Sequence, residues 1–132
     1  MFPSRTISLA INRPCDEVYA FLSNPANLSH WTGSLFDAPL EPAEENWRTV
    51  YEGRAVTLEF APNNPFGVID LLMTKEGVPD QRYWARVFPN GSGTELCCTV
   101  LQRADDSDEQ FESDMEWLKN DLSILKSFIE AW

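Results

Sequence analysis

The sequence predicts an α+β fold in which a curved, mainly antiparallel sheet packs against one long C-terminal helix. The helix is predicted over residues 110–131, where six apolar residues recur four and three positions apart and so share one narrow arc. They are Phe111, Met115, Leu118, Leu122, Leu125 and Ile129. The segments before it alternate apolar and polar residues, as half-buried strands do. Because one helix cannot fill the hollow of a curved sheet, we expect a cavity between the two that takes a small molecule.

One strand and two short helices are predicted in the first part of the chain. Residues 5–11 alternate in polarity, which indicates a strand. Proline at the first position and acidic residues behind it favour a helix over residues 14–22. An asparagine cap followed by proline favours a second helix over residues 24–31, ended by Gly33. Residues 35–46 carry prolines without a clear period, which predicts a loop with at most a short irregular strand.

The second half of the sequence predicts a long antiparallel meander. Residues 47–51 and 55–61 alternate around Glu52-Gly53, the pattern of a β-hairpin. Three further strands are predicted at residues 66–74, 81–88 and 94–103. Ser107 and Gln110 then have the spacing of a capping box, so we expect the long helix to begin there.

Length and charge limit the functions open to the protein. A chain of 132 residues, 43% of them hydrophobic, is long enough for one domain with a real core, so a single ligand-binding domain over residues 1–132 is expected. Its net charge of −11 would repel nucleic-acid phosphates and anionic lipids, which excludes both as expected partners. The sequence contains no stretch of about 20 apolar residues, so no membrane-spanning helix is predicted.

Cysteine and histidine usage argues against disulfides and metals. Cys15, Cys97 and Cys98 cannot form a complete disulfide framework, and the vicinal pair points to opposite faces of a strand, so a reducing, cytoplasmic location is expected. His30 is the one histidine, and no metal-ligand spacing occurs. We therefore expect neither a metal nor a cofactor.

The concave face of the sheet is predicted by pairing the later strands. Centring their turns places Asp70 opposite Arg86 and Leu72 opposite Trp84. On the next strand, three apolar residues are expected to share that face: Leu96, Cys98 and Val100. We expect this face to line the cavity because the alternating residues of the last strand are polar. A slip of one residue would exchange the two faces.

The predicted ligand site combines an ion pair with apolar walls. Inside the cavity, Asp70 and Arg86 could orient a carboxylate, phenol or carbonyl, although a solvated cross-strand salt bridge would look the same in sequence. Trp31 and Trp84 would either form rigid apolar walls of the ligand site or belong to the hydrophobic core. The residues predicted to bind the ligand are Trp31, Asp70, Leu72, Arg82, Trp84, Arg86, Cys98, Leu118 and Leu122.

Candidates for proton transfer are few. His30, at the end of the second short helix, could act at the cavity mouth, and Asp70 or Asp114 could act inside it. Asp114 and Asp121 lie one heptad apart beside the apolar stripe of the last helix. If they are partly buried, a carboxylate there would need a partner such as Arg82, Arg54 or a backbone amide. The alternative is that both lie in water at the helix flank.

Four stretches and their order resemble a known superfamily. They are residues 7–22, 66–70, 85–91 and 111–129, and nearly the whole chain is similar to the SRPBCC (START-like, Bet v 1-like) superfamily, especially to small bacterial proteins labelled polyketide cyclase/dehydrase. The resemblance implies a helix-grip fold, a sheet wrapped around the C-terminal helix with a hydrophobic cavity between them. It does not imply a reaction.

Three functions follow as hypotheses. The leading one is binding of a small, largely hydrophobic molecule. The second is an enzyme that acts on an aromatic or polyketide substrate. The third is a partner-binding module of the chaperone-activator type, which would use a convex apolar face around Leu71, Met73 and Tyr83 and could form a homodimer.

Overall fold

The computed structural model describes residues 1–32 and 40–132. In these residues seven strands form one antiparallel sheet in the order β1-β7-β6-β5-β4-β3-β2. The strands are β1 (Ser4–Ile11), β2 (Glu41–Ala43), β3 (Asn46–Tyr51), β4 (Arg54–Phe60), β5 (Leu71–Lys75), β6 (Gln81–Asn90) and β7 (Gly93–Leu101). The α+β fold predicted from the sequence is confirmed, with the sheet curved around the long C-terminal helix.

The two predicted short helices follow β1. The first is α1 (Cys15–Leu22), preceded by Pro14, and it buries Val18 and Phe21. The second is a 3₁₀ helix (Pro25–His30), in which the Asn24 side chain accepts a hydrogen bond from the amide of Ala26. Gly33, predicted to end this helix, lies outside the described residues, as does the first part of the predicted loop at residues 35–46. The last part of that loop contains β2.

The turns between strands determine the sheet register. Glu52 and Gly53 both have positive φ and join β3 to β4 in the predicted two-residue turn. Gly91, with φ of +59°, and Ser92 form a second two-residue turn that pairs Asn90 with Gly93. That turn is shorter than the five-residue connection predicted at residues 89–93, so β7 is displaced by one residue relative to β6.

One predicted strand is shorter in the structure. Of residues 66–74, only those from Leu71 onwards belong to β5. The preceding residues leave the regular ladder: Val68 forms only an isolated bridge with Arg86, and Gly67, at positive φ, accepts a hydrogen bond from the Val87 amide at 2.9 Å. A Cβ atom at Gly67 would lie 2.0 Å from the Val87 carbonyl oxygen, so this close approach requires glycine.

The long helix α2 (Asp108–Glu130) begins at the predicted cap, where the Ser107 hydroxyl accepts a hydrogen bond from the Gln110 amide at 3.0 Å. The Gln110 side chain donates instead to Asp114 at 2.8 Å, so the reciprocal half of the capping box is not formed. At the other end of α2, the ammonium of Lys126 donates to the Ala10 carbonyl oxygen at 2.6 Å, which attaches the helix to β1.

Two groups of buried side chains form the core. The larger one joins α2 to β1, β6, β7 and α1, and it contains five of the six residues of the predicted helical stripe: Phe111, Met115, Leu122, Leu125 and Ile129. The sixth, Leu118, is half-buried. The smaller group consists of Leu28, Val56 and Leu58. No helix within residues 1–32 and 40–132 has the length and apolar character needed to cross a membrane.

Candidate functional site

A cavity of about 670 Å³ lies between the sheet and α2. Its walls come from both groups of core residues, and most of the side chains are apolar. On the sheet the apolar lining residues are Val56, Leu58, Ile69, Leu71, Met73, Ala85, Leu96, Cys98 and Val100. On α2 they are Phe111, Met115, Trp117, Leu118, Leu122 and Leu125. A volume of this size is ordinary for a pocket that encloses a small organic molecule.

The register of β6 and β7 corrects the predicted concave face. Tyr83 stands opposite Val100, and Ala85 stands opposite Cys98. As predicted, the Leu96, Cys98 and Val100 face of β7 lines the cavity, but on β6 its partners are Tyr83, Ala85 and Val87 rather than Arg82, Trp84 and Arg86. The two-residue turn at Gly91-Ser92 causes the difference, because moving a strand by one residue exchanges its faces.

Five predicted ligand-binding residues do not line the cavity: Asp70, Leu72, Arg82, Trp84 and Arg86. Leu72 pairs with Arg82, whose guanidinium lies 5.0 Å from the centre of the Trp84 ring. The Arg86 guanidinium donates to the Phe66 carbonyl oxygen at 3.3 Å. Arg82 and Trp84 therefore form a cation–π pair, and Arg86 forms a hydrogen bond, on the face of the sheet that points away from the cavity.

Asp70 has a different role from the predicted one. Its carboxylate accepts a hydrogen bond from the Ala85 amide at 2.8 Å, between the two strands. Within the described part of the chain it forms no ion pair with Arg86 and does not line the cavity. The carboxylate replaces a backbone acceptor where β5 leaves the regular ladder, so its contact is structural.

Four predicted ligand-binding residues do line the cavity: Trp31, Cys98, Leu118 and Leu122. Trp31 follows the 3₁₀ helix and contacts both groups of core residues. The other three are contributed by β7 and α2. Whether these side chains contact a ligand stays a prediction.

His30 is exposed and lies outside the cavity lining. Its ring stacks on Phe128 of α2, with ring centres 5.4 Å apart and an interplanar angle of 13°. The prediction that His30 stands at the cavity mouth is therefore not supported by its position. Of the three proton-transfer candidates, Asp114 alone lines the cavity.

The polar part of the cavity wall includes two aspartates of α2, Asp114 and Asp121. Asp114 is half-buried and accepts from Gln110, whereas Asp121 is only 5% exposed. No hydrogen bond or ion pair reaches the Asp121 carboxylate from residues 1–32 or 40–132. Neither Arg82 nor Arg54, the partners considered from sequence, contacts it. The alternative in which both aspartates are solvated at the helix flank is therefore wrong for Asp121.

Two cations also line the cavity, and each has another partner. The Lys75 ammonium lies 4.5 Å from the centre of the Tyr51 ring. The Arg103 guanidinium bonds to Asp106 at 2.9 Å and to the Pro79 carbonyl oxygen at 3.0 Å. Neither forms an ion pair with Asp121.

Burial raises the pKa of three acidic groups in the wall and so favours the neutral form of each. It raises the pKa of Asp121 from 3.8 to about 6, and it raises the pKa of Cys98 to about 12, with the Asp70 charge adding to the effect. Burial also raises the pKa of the Tyr83 phenol, and the charges of Cys98, Asp114 and Asp121 act in the same direction. The Tyr83 hydroxyl is therefore a protonated donor at neutral pH.

The wall offers no recognisable metal site. Within the described residues, no three of the His, Cys, Asp and Glu side chains come together in a way that could hold a metal ion. Among the described residues, the polar side chains of the wall are two carboxylates, two phenols, two amides and two hydroxyls, beside the two partnered cations. Such a wall can bind an apolar molecule and orient a donor group on it.

Comparison with known proteins bears on the fold. Neither a sequence-family profile nor a curated protein matches the chain. Solved structures do. The Aha1 dimer from Colwellia psychrerythraea aligns with a TM-score of 0.72 at 12% identity over 97% of this chain and 96% of that one. Ara h 8.0201 aligns with a TM-score of 0.73 at 10% identity over the whole of both chains.

A third similar structure is DynU16, a protein in the dynemicin biosynthetic locus, with a TM-score of 0.68 at 17% identity. The alignment covers 96% of this chain and 47% of DynU16, so this chain spans about half of that protein. The chain has the SRPBCC, or Bet v 1-like, fold. At these identities the SRPBCC likeness establishes the architecture and nothing about ligand or reaction.

The cavity lining also includes residues that were predicted from the sequence to lie elsewhere. Leu71, Met73 and Tyr83 were assigned to a convex interface, but they line the cavity. That removes the apolar surface on which the partner-binding and homodimer hypotheses were based. A signal was present in the sequence, since glycine at the first position of a two-residue loop favours a tight hairpin at Gly91-Ser92. Asp121 was noticed beside the helical stripe but not assigned to the site.

Proposed function

We propose that the protein binds a small, largely hydrophobic molecule in the cavity between its sheet and α2. The observation that carries this proposal is the cavity of about 670 Å³ with a mostly apolar wall, within the range of roughly 300–1,000 Å³ that small-molecule pockets occupy. Transfer of an apolar ligand from water into such a wall is favourable by about 25 cal/mol for each Å² of apolar surface buried.

Binding without turnover is the form of this function that the wall favours. His30 is stacked on Phe128 at the surface, and the Asp70 carboxylate is held by the Ala85 amide. An enzyme of this shape needs a proton-transfer group within hydrogen-bond reach of its substrate. Asp114, Asp121 and Tyr83 are the titratable side chains that could serve an enzymatic alternative, and each can equally orient a bound molecule.

The proposal can be tested by filling the cavity. In the double variant Leu71→Trp, Met73→Trp, both new side chains enter the cavity from β5. The matched control is Leu72→Trp, Thr74→Trp, which adds the same groups to the outer face of the same strand. Binding of the uncharged dye Nile red is measured by fluorescence titration, with circular dichroism to confirm the fold of both variants.

We expect the cavity variant to weaken Nile red binding by about tenfold or more, which corresponds to about 1.4 kcal/mol, and the control to bind as the wild type does. Equal affinities in the two variants would show that the dye binds elsewhere and would reject the cavity as the site. Native mass spectrometry of protein purified from its own host then identifies a co-purified ligand. Recovery of a chemically altered ligand after incubation would reject binding without turnover.

A further inference from the structure

The Asp121 side chain is buried in an apolar cavity wall, and its carboxylate has no hydrogen-bond or ion-pair partner among the described residues. Its oxygens are not sealed off, because no fully buried side-chain oxygen of these residues lacks a hydrogen bond. Asp121 is 5% exposed, and on α2 it lies between the lining residues Leu118, Leu122 and Leu125. Burial of a polar group without a compensating hydrogen bond is unfavourable, and burial of an ionised carboxylate is more so. Nothing in the described part of the fold uses this carboxylate, so its surroundings favour a partner that arrives inside the cavity.

The other charged and titratable groups in the wall favour a cation as that partner. Lys75 and Arg103 are engaged by Tyr51 and Asp106. Asp114 is on the same wall one heptad before Asp121, and a second carboxylate makes the potential there more negative. Two further titratable groups of the wall, Tyr83 and Cys98, stay protonated and neutral because burial raises the pKa of each.

We propose that the ligand is an amphipathic amine, whose apolar body fills the cavity and whose protonated nitrogen binds the Asp121 carboxylate. This inference rests on the proposed function and names the class of ligand that the site takes. Ammonium–carboxylate hydrogen bonds are among the stronger ones, and a desolvated wall strengthens them further. The pKa of Asp121, about 6, leaves the carboxylate mainly ionised at neutral pH, and a bound ammonium would favour that form more.

The net charge of the whole chain acts in the same direction. With −11 overall, the protein attracts cations at long range and repels anions, although physiological salt screens this effect beyond about 8 Å. The short-range contact with Asp121 must therefore supply most of the discrimination between an amine and a neutral analogue. That makes the discrimination depend on one residue, and so makes it testable.

Three probes that share a ten-carbon chain and differ in the charge of the polar group test whether the cavity prefers a cation: n-decylamine, n-decanol and n-decanoate. Their affinities are measured by displacement of Nile red at neutral pH and physiological salt, each below its micelle concentration. The variants are Asp121→Asn and, as a control, Glu116→Gln, which removes the same charge from an exposed position on the same helix. We expect the wild type to bind the amine about tenfold more tightly than the alcohol, and decanoate to bind most weakly.

The Asp121→Asn variant should lose the preference for the amine while it keeps its affinity for decanol, and Glu116→Gln should retain the preference. An amine preference that survives in Asp121→Asn, or equal binding of all three probes by the wild type, would overturn the inference while leaving cavity binding intact. If neither Nile red nor any probe binds, the proposed function itself fails, and this inference fails with it.

A measurement on the wild type makes the test independent of how the variant folds. The carboxyl carbon shift of Asp121 is followed by NMR against pH with and without decylamine. We expect the amine to lower the pKa of Asp121 from about 6 toward its ordinary value, because a nearby ammonium stabilises the charged form. Decanol should not lower it. An unchanged titration at saturating decylamine would contradict contact between the amine and Asp121.

Discussion

Tyr83 on β6 stands directly opposite Val100 on β7, and this pairing determines which residues of both strands face the cavity. Tyr83, Ala85 and Val87 accompany Leu96, Cys98 and Val100 on the inner side. Arg82, Trp84 and Arg86 accompany Glu95, Cys97 and Thr99 on the outer side, because side chains alternate along each strand. The face of β7 that is turned toward the cavity can be checked at the vicinal cysteines.

Cys97 should react with iodoacetamide at least about tenfold faster than Cys98 in the folded protein. Cys98 is buried in the inner face and burial raises its pKa to about 12, which suppresses the reactive thiolate. The rates are measured by peptide mapping after timed labelling, with urea-unfolded protein as the control in which the two thiols react alike. Faster modification of Cys98 than of Cys97 would show that β7 turns its other face toward the cavity.

Leu122→Ala should destabilise the protein by about 2–5 kcal/mol, the usual loss for a large-to-small change in a packed core. Leu122 is buried in the larger group of core residues. Leu118→Ala should cost less, about 1–2 kcal/mol, because that side chain is half-buried and already borders the cavity. Urea unfolding curves give both values. A loss below about 0.5 kcal/mol for Leu122→Ala would be surface behaviour and would contradict the packing of α2.

Asp70→Ala should destabilise the protein by about 1–3 kcal/mol, since it leaves the Ala85 amide without its acceptor. Asp70→Asn should be milder because it keeps an oxygen that can accept the same hydrogen bond. Arg86→Leu should change the stability by less than about 0.5 kcal/mol, as expected for a residue on the outer face. A double-mutant cycle that shows strong coupling between Asp70 and Arg86 would indicate an ion pair between them and would contradict the structure, in which these two side chains form none.

Gly67→Ala should cost several times more stability than Gly53→Ala. Both glycines have positive φ, +72° and +75°, so the conformational penalty of alanine is similar. A Cβ atom at Gly67 would lie 2.0 Å from the Val87 carbonyl oxygen, whereas nothing lies within 4 Å of one at Gly53. We expect about 1 kcal/mol for Gly53→Ala and more than about 3 kcal/mol for Gly67→Ala, measured by thermal unfolding. Equal losses would contradict the close approach of Gly67 to β6.

Asp121 should make the protein less stable as the pH rises from about 4 to about 6. Its folded-state pKa of about 6 lies above the ordinary 3.8, so in that interval the folded protein holds a proton that the unfolded chain has released. Asp121→Asn should therefore flatten this slope and raise the free energy of unfolding at neutral pH by about 1 kcal/mol, because contact with solvent in the cavity screens part of the effect. Urea unfolding at several pH values measures the effect, with exposed Glu116→Gln as the control. An unchanged slope would show that the carboxylate is solvated.

Much of the architecture could be predicted from the sequence because it depends on local patterns. The stripe of Phe111, Met115, Leu122, Leu125 and Ile129 is buried as its helical spacing predicted. The cap at Ser107 and the turn at Glu52-Gly53 also lie where the sequence placed them. In each case neighbouring residues alone supply the physical reason, either a period, a capping hydroxyl or a backbone that accepts positive φ.

The identity of the site residues depended on tertiary structure. The sequence by itself determined that strands alternate, that a long helix covers them and that an apolar cavity lies between. Only the structure decided that Tyr83 rather than Trp84 faces the cavity, and that Asp121 is buried in its wall with no partner among the described residues. The reason is that strand register is set by one turn and propagates to every side chain, while the burial of a helix-flank residue depends on a sheet distant in sequence.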